Sequence, residues 1–71
     1  MTAEEWVRTF AEQLGIEPPT EQQMDEILRL AAVAAHASER RAAPIACWIA
    51  GTTGRPVPEL TGVAEGLAGG D

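Results

Sequence analysis

No lysine occurs among the 71 residues, and cysteine, histidine and serine occur once each. Each scarcity removes a class of function. Five arginines against eleven carboxylates leave a net charge of −6. So acidic a chain has too few cations to neutralise a phosphate backbone, and nucleic acid is not an expected partner. The absence of lysine beside abundant alanine and arginine reads as the codon usage of a GC-rich genome rather than as a functional signature. The single cysteine, Cys47, lies in the apolar run Ile45-Ala46-Cys47-Trp48-Ile49 and cannot close an internal disulfide, which points to a reducing compartment. One histidine and one cysteine, eleven residues apart, fall short of a metal-ligand set. The single serine, Ser38, sits between Ala37 and Glu39 near an expected helix end. Acyl and peptidyl carriers hold their prosthetic arm on a serine in an Asp-Ser-Leu type motif at a helix start, so carrier function is excluded. Gly51-Thr52-Thr53-Gly54 lacks the lysine and the preceding strand of a phosphate-binding loop. No cationic segment leads into an apolar stretch, and no apolar run approaches the roughly 20 residues of a membrane span. The expected setting is the cytoplasm, with no membrane, no cofactor and no catalytic constellation.

What the sequence does have is helix punctuation. Thr2-Ala3-Glu4-Glu5 and Thr20-Glu21-Gln22-Gln23 are capping boxes, in which a threonine hydroxyl accepts from the amide three residues on and the Glu or Gln reaches back. Behind the first, Ala3, Trp6, Val7, Phe10, Ala11 and Leu14 fall at helical spacing, and Gly15 with Ile16 suits a left-handed cap closed by a Schellman contact. Behind the second, Met24, Ile27, Leu28, Ala31 and Ala35 form the next stripe, with Leu30 and Ala34 on its flank. Pro44 fits the first turn of a third helix carrying Ile45, Trp48 and Ile49, and Leu60, Val63, Ala64 and Leu67 repeat the period in a fourth. The helices are expected at about 3–14, 21–40, 44–53 and 58–68, with 69–71 frayed. The fold class is all-α, a small three-helix bundle with a short fourth C-terminal helix, in one domain spanning 1–71. Its expected core is Trp6, Phe10, Leu14, Met24, Ile27, Leu28, Ile45, Trp48 and Ile49, thin enough to call for a partner.

The candidate contact residues are Arg29, His36, Arg40 and Arg41. At 100° per residue, Arg29, His36 and Arg40 share a face of the second helix away from its apolar stripe and can meet one anion there. The plainer alternative is a solvated face whose cations suit the negative end of the helix dipole. Arg41 points to the flank that bears Leu30, within reach of a glutamate on the first helix. Adjacent acids such as Glu4/Glu5 and Asp25/Glu26 point apart on a helix and make no acid/base dyad.

Several segments together resemble a small actinobacterial helical domain family of unknown function: Glu5-Trp6, Ile27-Leu28-Arg29-Leu30-Ala31, His36 with Glu39-Arg40-Arg41, Ala42-Ala43-Pro44 and Trp48-Ile49-Ala50-Gly51. The resemblance covers most of residues 4–54. Members are similar to the C-terminal extension of some molybdenum-cofactor guanylyltransferases and also occur as free-standing chains. The resemblance implies a non-catalytic accessory or protein-interaction module of molybdopterin guanine dinucleotide synthesis. Its partner would be a guanylyltransferase or a molybdoenzyme, and it carries no catalytic residue onto this chain. The alternatives are a small anionic-ligand binder using the basic stripe, and a structural oligomerisation domain such as a homodimer.

Overall fold

Two capping boxes fix where the chain first becomes helical. The Thr2 amide donates to Glu5 Oε1 at 2.7 Å while Thr2 Oγ1 accepts from the Glu5 amide at 3.1 Å. Thr20 and Gln23 repeat the exchange at 2.9 and 3.1 Å. The computed structural model describes residues 1–69, which form four α-helices: α1 (Ala3–Gln13), α2 (Glu21–Ala37), α3 (Ala42–Thr53) and α4 (Val57–Gly69). The described residues contain no strand, and the chain is all-α. Gly70 and Asp71, on which the expected fraying partly fell, lie outside the described residues.

The end of α1 is a Schellman turn. Gly15 takes φ 73°, its amide donates to the Glu12 carbonyl at 3.1 Å, and the Ile16 amide donates to the Ala11 carbonyl at 3.0 Å. Further on, α2 ends at Ala37, short of the expected 40, and α3 begins at Ala42, ahead of the expected 44. Pro44 sits at the third position of α3, still within the first turn, where a helix leaves its amides free and a missing donor costs nothing. The reversal between α2 and α3 occupies residues 38–41. Ser38 leaves helical geometry at φ −137°, ψ −94°, and the amides of Ala42 and Ala43 donate to Glu39 and Arg40. The turn into α4 is held more firmly. Gly54 takes φ 70°, the Arg55 amide donates to Thr53 Oγ1 at 3.0 Å, and the Arg55 guanidinium grips Glu59 through Nε and Nη2.

Packing departs furthest from the sequence expectation. The hub is α2, along which both α3 and α4 pack, while α1 meets the rest of the chain only marginally. The molecule is accordingly elongated, 42 × 24 × 18 Å. Leu30, expected on a flank, is the buried leucine, 4% exposed. With Ala46 and Ala50 of α3 and Leu60 and Ala64 of α4 it lines the apolar groove between the helices that pack along α2. Ala11, Ala50 and Thr61 are the other buried residues among those described, and Thr61 Oγ1 is satisfied by donating to the Val57 carbonyl at 3.1 Å. Small side chains at these contacts let helices approach closely, and that is why the flank of α2 wins the interior. The expected core is corrected in turn. Trp6, Phe10, Leu14, Leu28, Ile45, Trp48 and Ile49 are all exposed, Trp6 at 56% and Trp48 at 72%. Met24 and Ile27 are half-buried.

Within α4, Gly62 and Gly66 have nothing within 4 Å of where a Cβ would stand. Alanine should therefore relieve the entropic penalty of glycine in a helix without a clash. Gly62→Ala and Gly66→Ala are each expected to raise stability by about 0.5–1 kcal/mol. In a thermal melt of so small a domain that is a rise of a few degrees for each. A lower midpoint would show that this face of α4 is packed.

Candidate functional site

Arg29, His36 and Arg40 do not form one stripe, because Arg40 lies outside α2. Arg29 lies on α2 and pairs across to α4, with Nη2 donating to Glu65 Oε2 at 3.2 Å. Beside this pair runs a cleft of about 320 Å³ lined by Glu26, Arg29, Pro58, Thr61 and Glu65. Two carboxylates against one guanidinium give it the wrong sign for an anion. His36 is exposed in the last turn of α2, where a cation suits the helix dipole. Arg40 is outside the helix, in the 38–41 reversal, and makes no ion pair among the described residues. Arg41 precedes α3 without capping it, and its Nε stands 3.9 Å from Glu39 Oε1 with the side chain almost fully exposed. Its partner is thus a near neighbour in sequence, not a glutamate of α1. An exposed pair at that distance is worth little, between zero and about 1 kcal/mol.

The groups able to do chemistry are similarly placed for structure. Cys47 is half-buried against α2, its Sγ–H directed at the Ile27 carbonyl 3.9 Å away, and desolvation pushes its thiol above the ordinary range. A thiol held neutral is a poor nucleophile. In the folded chain Cys47 should react with a thiol-directed reagent at pH 7–8 at least tenfold more slowly than after unfolding in denaturant; equal rates in the two states would place it at an open surface. Glu5 has its carboxyl held below the ordinary range, first by the Thr2 amide and then by the Thr2 hydroxyl. The sign is that of a capping carboxylate. Its contribution is complete above the unfolded value and is lost as pH falls through the lowered folded value.

What the chain does display is apolar surface, on two sides. Along α3 no charged residue occurs, and no polar side chain other than Cys47 precedes Thr52. A helix apolar all round belongs in an interior, and at 12 residues α3 is too short to span a membrane. One side of it lies on α2 through Ala46, Cys47 and Ala50, and the other turns Ile45, Trp48 and Ile49 outward. Beside Ile49 a groove continues onto Val63 and Leu67 of α4, both exposed. The second surface is on α1, where Trp6 and Phe10 stack at 5.1 Å between ring centroids, with Leu14 and Ile16 also exposed. Altogether the chain exposes 5509 Å², where a compact monomer of its 7.5 kDa would expose roughly 4,200 Å². That excess exceeds the roughly 800 Å² that one partner contributes to a standard interface.

Helical spacing alone places Trp6, Phe10, Leu14, Ile45, Trp48 and Ile49 in the interior. The apolar arc of α2 runs from Leu30 round to Leu28, and α3 is apolar along most of its length, a pattern that marks faces to be covered without saying what covers them.

Among the described residues no group of three or more His, Cys, Asp or Glu could hold a metal ion, and no helix is long and apolar enough to cross a membrane. A family model described as "Domain of unknown function (DUF6457)" matches residues 1–70. No curated protein and no solved structure matches the chain.

Proposed function

The chain belongs to the DUF6457 family, and on that premise we propose that it is a non-catalytic protein-interaction module. It works with its apolar surface covered by a partner. The partner implied by the sequence resemblance is a molybdenum-cofactor guanylyltransferase or a molybdoenzyme, which would place the module in molybdopterin guanine dinucleotide synthesis. One observation carries the reading: Ile45, Trp48 and Ile49 of an uncharged helix face outward, next to the apolar groove that ends at Leu67. Soluble monomers rarely leave a contiguous apolar patch of this kind open, and such patches mark sites of association. A tryptophan between two isoleucines is also the composition of an interface hot spot. The exposed Arg40 and Arg41, in the reversal that leads into α3, supply a polar rim able to meet carboxylates of the partner.

The experiment follows backbone amide shifts of the labelled chain during titration with phosphate, a guanine nucleotide and the candidate guanylyltransferase in turn. Shifts that converge on 40–49 and 63–67 with the protein alone support the module. Shifts around His36 and Arg40 with phosphate or nucleotide alone would favour an anionic-ligand binder instead. The same titration with the molybdoenzyme follows, and silence with both enzymes would remove them as partners.

A further inference from the structure

A second surface specifies the chemistry of what covers it. Between α1 and the first half of α2 runs a groove of about 260 Å³, floored by Val7, Met24, Ile27 and Leu28. Leu28 is 65% exposed there, next to the apolar Val7, Met24 and Ile27, so the groove presents a patch and not an isolated side chain. Along the rim stand Glu4 of α1 and Glu21 and Asp25 of α2, and no Arg or His lines the groove. None of the three carboxylates is in an ion pair among the described residues. Glu4 and Glu21 sit in the first turns of their helices, where the dipole alone would favour an acid. Asp25 lies beyond that turn, and the dipole has no bearing on an exposed leucine between the acids.

We propose that this groove docks a cationic amphipathic helix of a partner protein. The helix would lay an apolar ridge at i, i+3 or i+4 and i+7 over Val7, Met24 and Leu28, with flanking Lys or Arg meeting Glu4, Glu21 and Asp25. Two features fix that occupant. Helix-in-groove recognition needs an apolar trough with polar margins, and a floor containing methionine adapts to such a ridge. A second copy of the chain is disfavoured by charge. An isologous contact sets the same rim against itself, and each copy carries a net charge of −6. The inference rests on the reading of the chain as an interaction module and adds the chemistry of the segment it receives.

The test uses the full chain and three synthetic peptides. One is an amphipathic helix with a leucine ridge and lysine flanks, the second has glutamate in place of lysine, and the third is the lysine peptide in scrambled order. The lysine peptide is expected to bind, to move the amides of Val7, Met24 and Leu28, and to lose at least tenfold in affinity between about 50 and 500 mM salt. The glutamate and scrambled peptides should bind at least tenfold more weakly. Leu28→Glu adds a carboxylate yet removes the floor. It should weaken the lysine peptide at least tenfold with an unchanged melt, since Leu28 is already in water. Equal binding of the scrambled peptide would reduce the groove to diffuse charge and overturn the proposal, as would shifts confined to other surfaces. Concentration-dependent shifts of the groove residues without peptide would make the occupant a second copy. The two readings fail separately. A guanylyltransferase that binds at Trp48 while no peptide enters the groove leaves the module and removes this inference. A bound lysine peptide with no response to either candidate enzyme leaves the inference and removes those partners.

Discussion

Leu30→Ala should abolish the cooperative thermal melt of this protein. Among the described residues Leu30 is the one large hydrophobic side chain that is buried, at 4% exposure, and it stands on α2, along which both α3 and α4 pack. Removing a buried leucine loses the transfer free energy of its methyl groups and leaves a cavity, together about 2–5 kcal/mol. A domain of this size rarely has more than about 3–5 kcal/mol in total. The control is two positions away. Leu28→Ala removes the same atoms from an exposed site and should change stability by no more than about 0.5 kcal/mol. Circular dichroism during heating separates the two. A sigmoidal melt of Leu30→Ala close to wild type would show that α3 and α4 do not rest on this leucine.

That pair of leucines also shows what was legible in the sequence and what was not. Helix starts were written in local chemistry. Thr2 with Glu5, and Thr20 with Gln23, are bonds between residues three apart, so nothing distant can alter them. Gly15 and Gly54 likewise take the positive φ of helix-ending turns. The face that each helix buries is decided by its neighbours, and periodicity gives only the arc to choose from. On α2 that arc spans Leu30, Ile27, Ala34, Ala31, Met24 and Leu28, and its centre lies nearer Met24 than Leu30. The choice fell to the edge, because Ala46, Ala50 and Ala64 present small side chains there and permit the closest helix approach. The candidate site followed the same logic. Arg29 could be placed on a polar face from sequence, but its engagement with Glu65, 36 residues on, depends on how α4 docks. Arg40 lies outside α2 because the chain leaves helical geometry at Ser38, which periodicity did not mark. The outward face of α3 was misread because an apolar helix implies an interior, and the sequence does not say whose interior it is.

Trp48→Ala should leave the fold standing and remove the partner. Trp48 is 72% exposed, the more exposed of the two tryptophans, and it projects from the side of α3 opposite its contact with α2. An exposed side chain with few neighbours changes stability by about 0.5 kcal/mol or less when truncated. Trp6→Ala is the informative comparison, since Trp6 stacks on Phe10 at 5.1 Å and its loss should cost about 0.5–1.5 kcal/mol of pair energy. Binding should rank the two in the opposite order. A tryptophan flanked by Ile45 and Ile49 and bordered by the α3–α4 groove fits the centre of an interface, where truncation costs at least about 2 kcal/mol, or roughly 30-fold in Kd. Trp6 lies on α1, away from that surface, and its replacement should change the same Kd by less than about threefold, within 1 kcal/mol. Calorimetric titration of wild type and both variants with the candidate guanylyltransferase, beside a thermal melt of each, reads both orders at once. A Trp48→Ala chain that no longer melts cooperatively would return Trp48 to the core. One that melts normally and binds at full strength would show that the partner covers some other face, and Ile45, Trp48 and Ile49 would then need a different occupant.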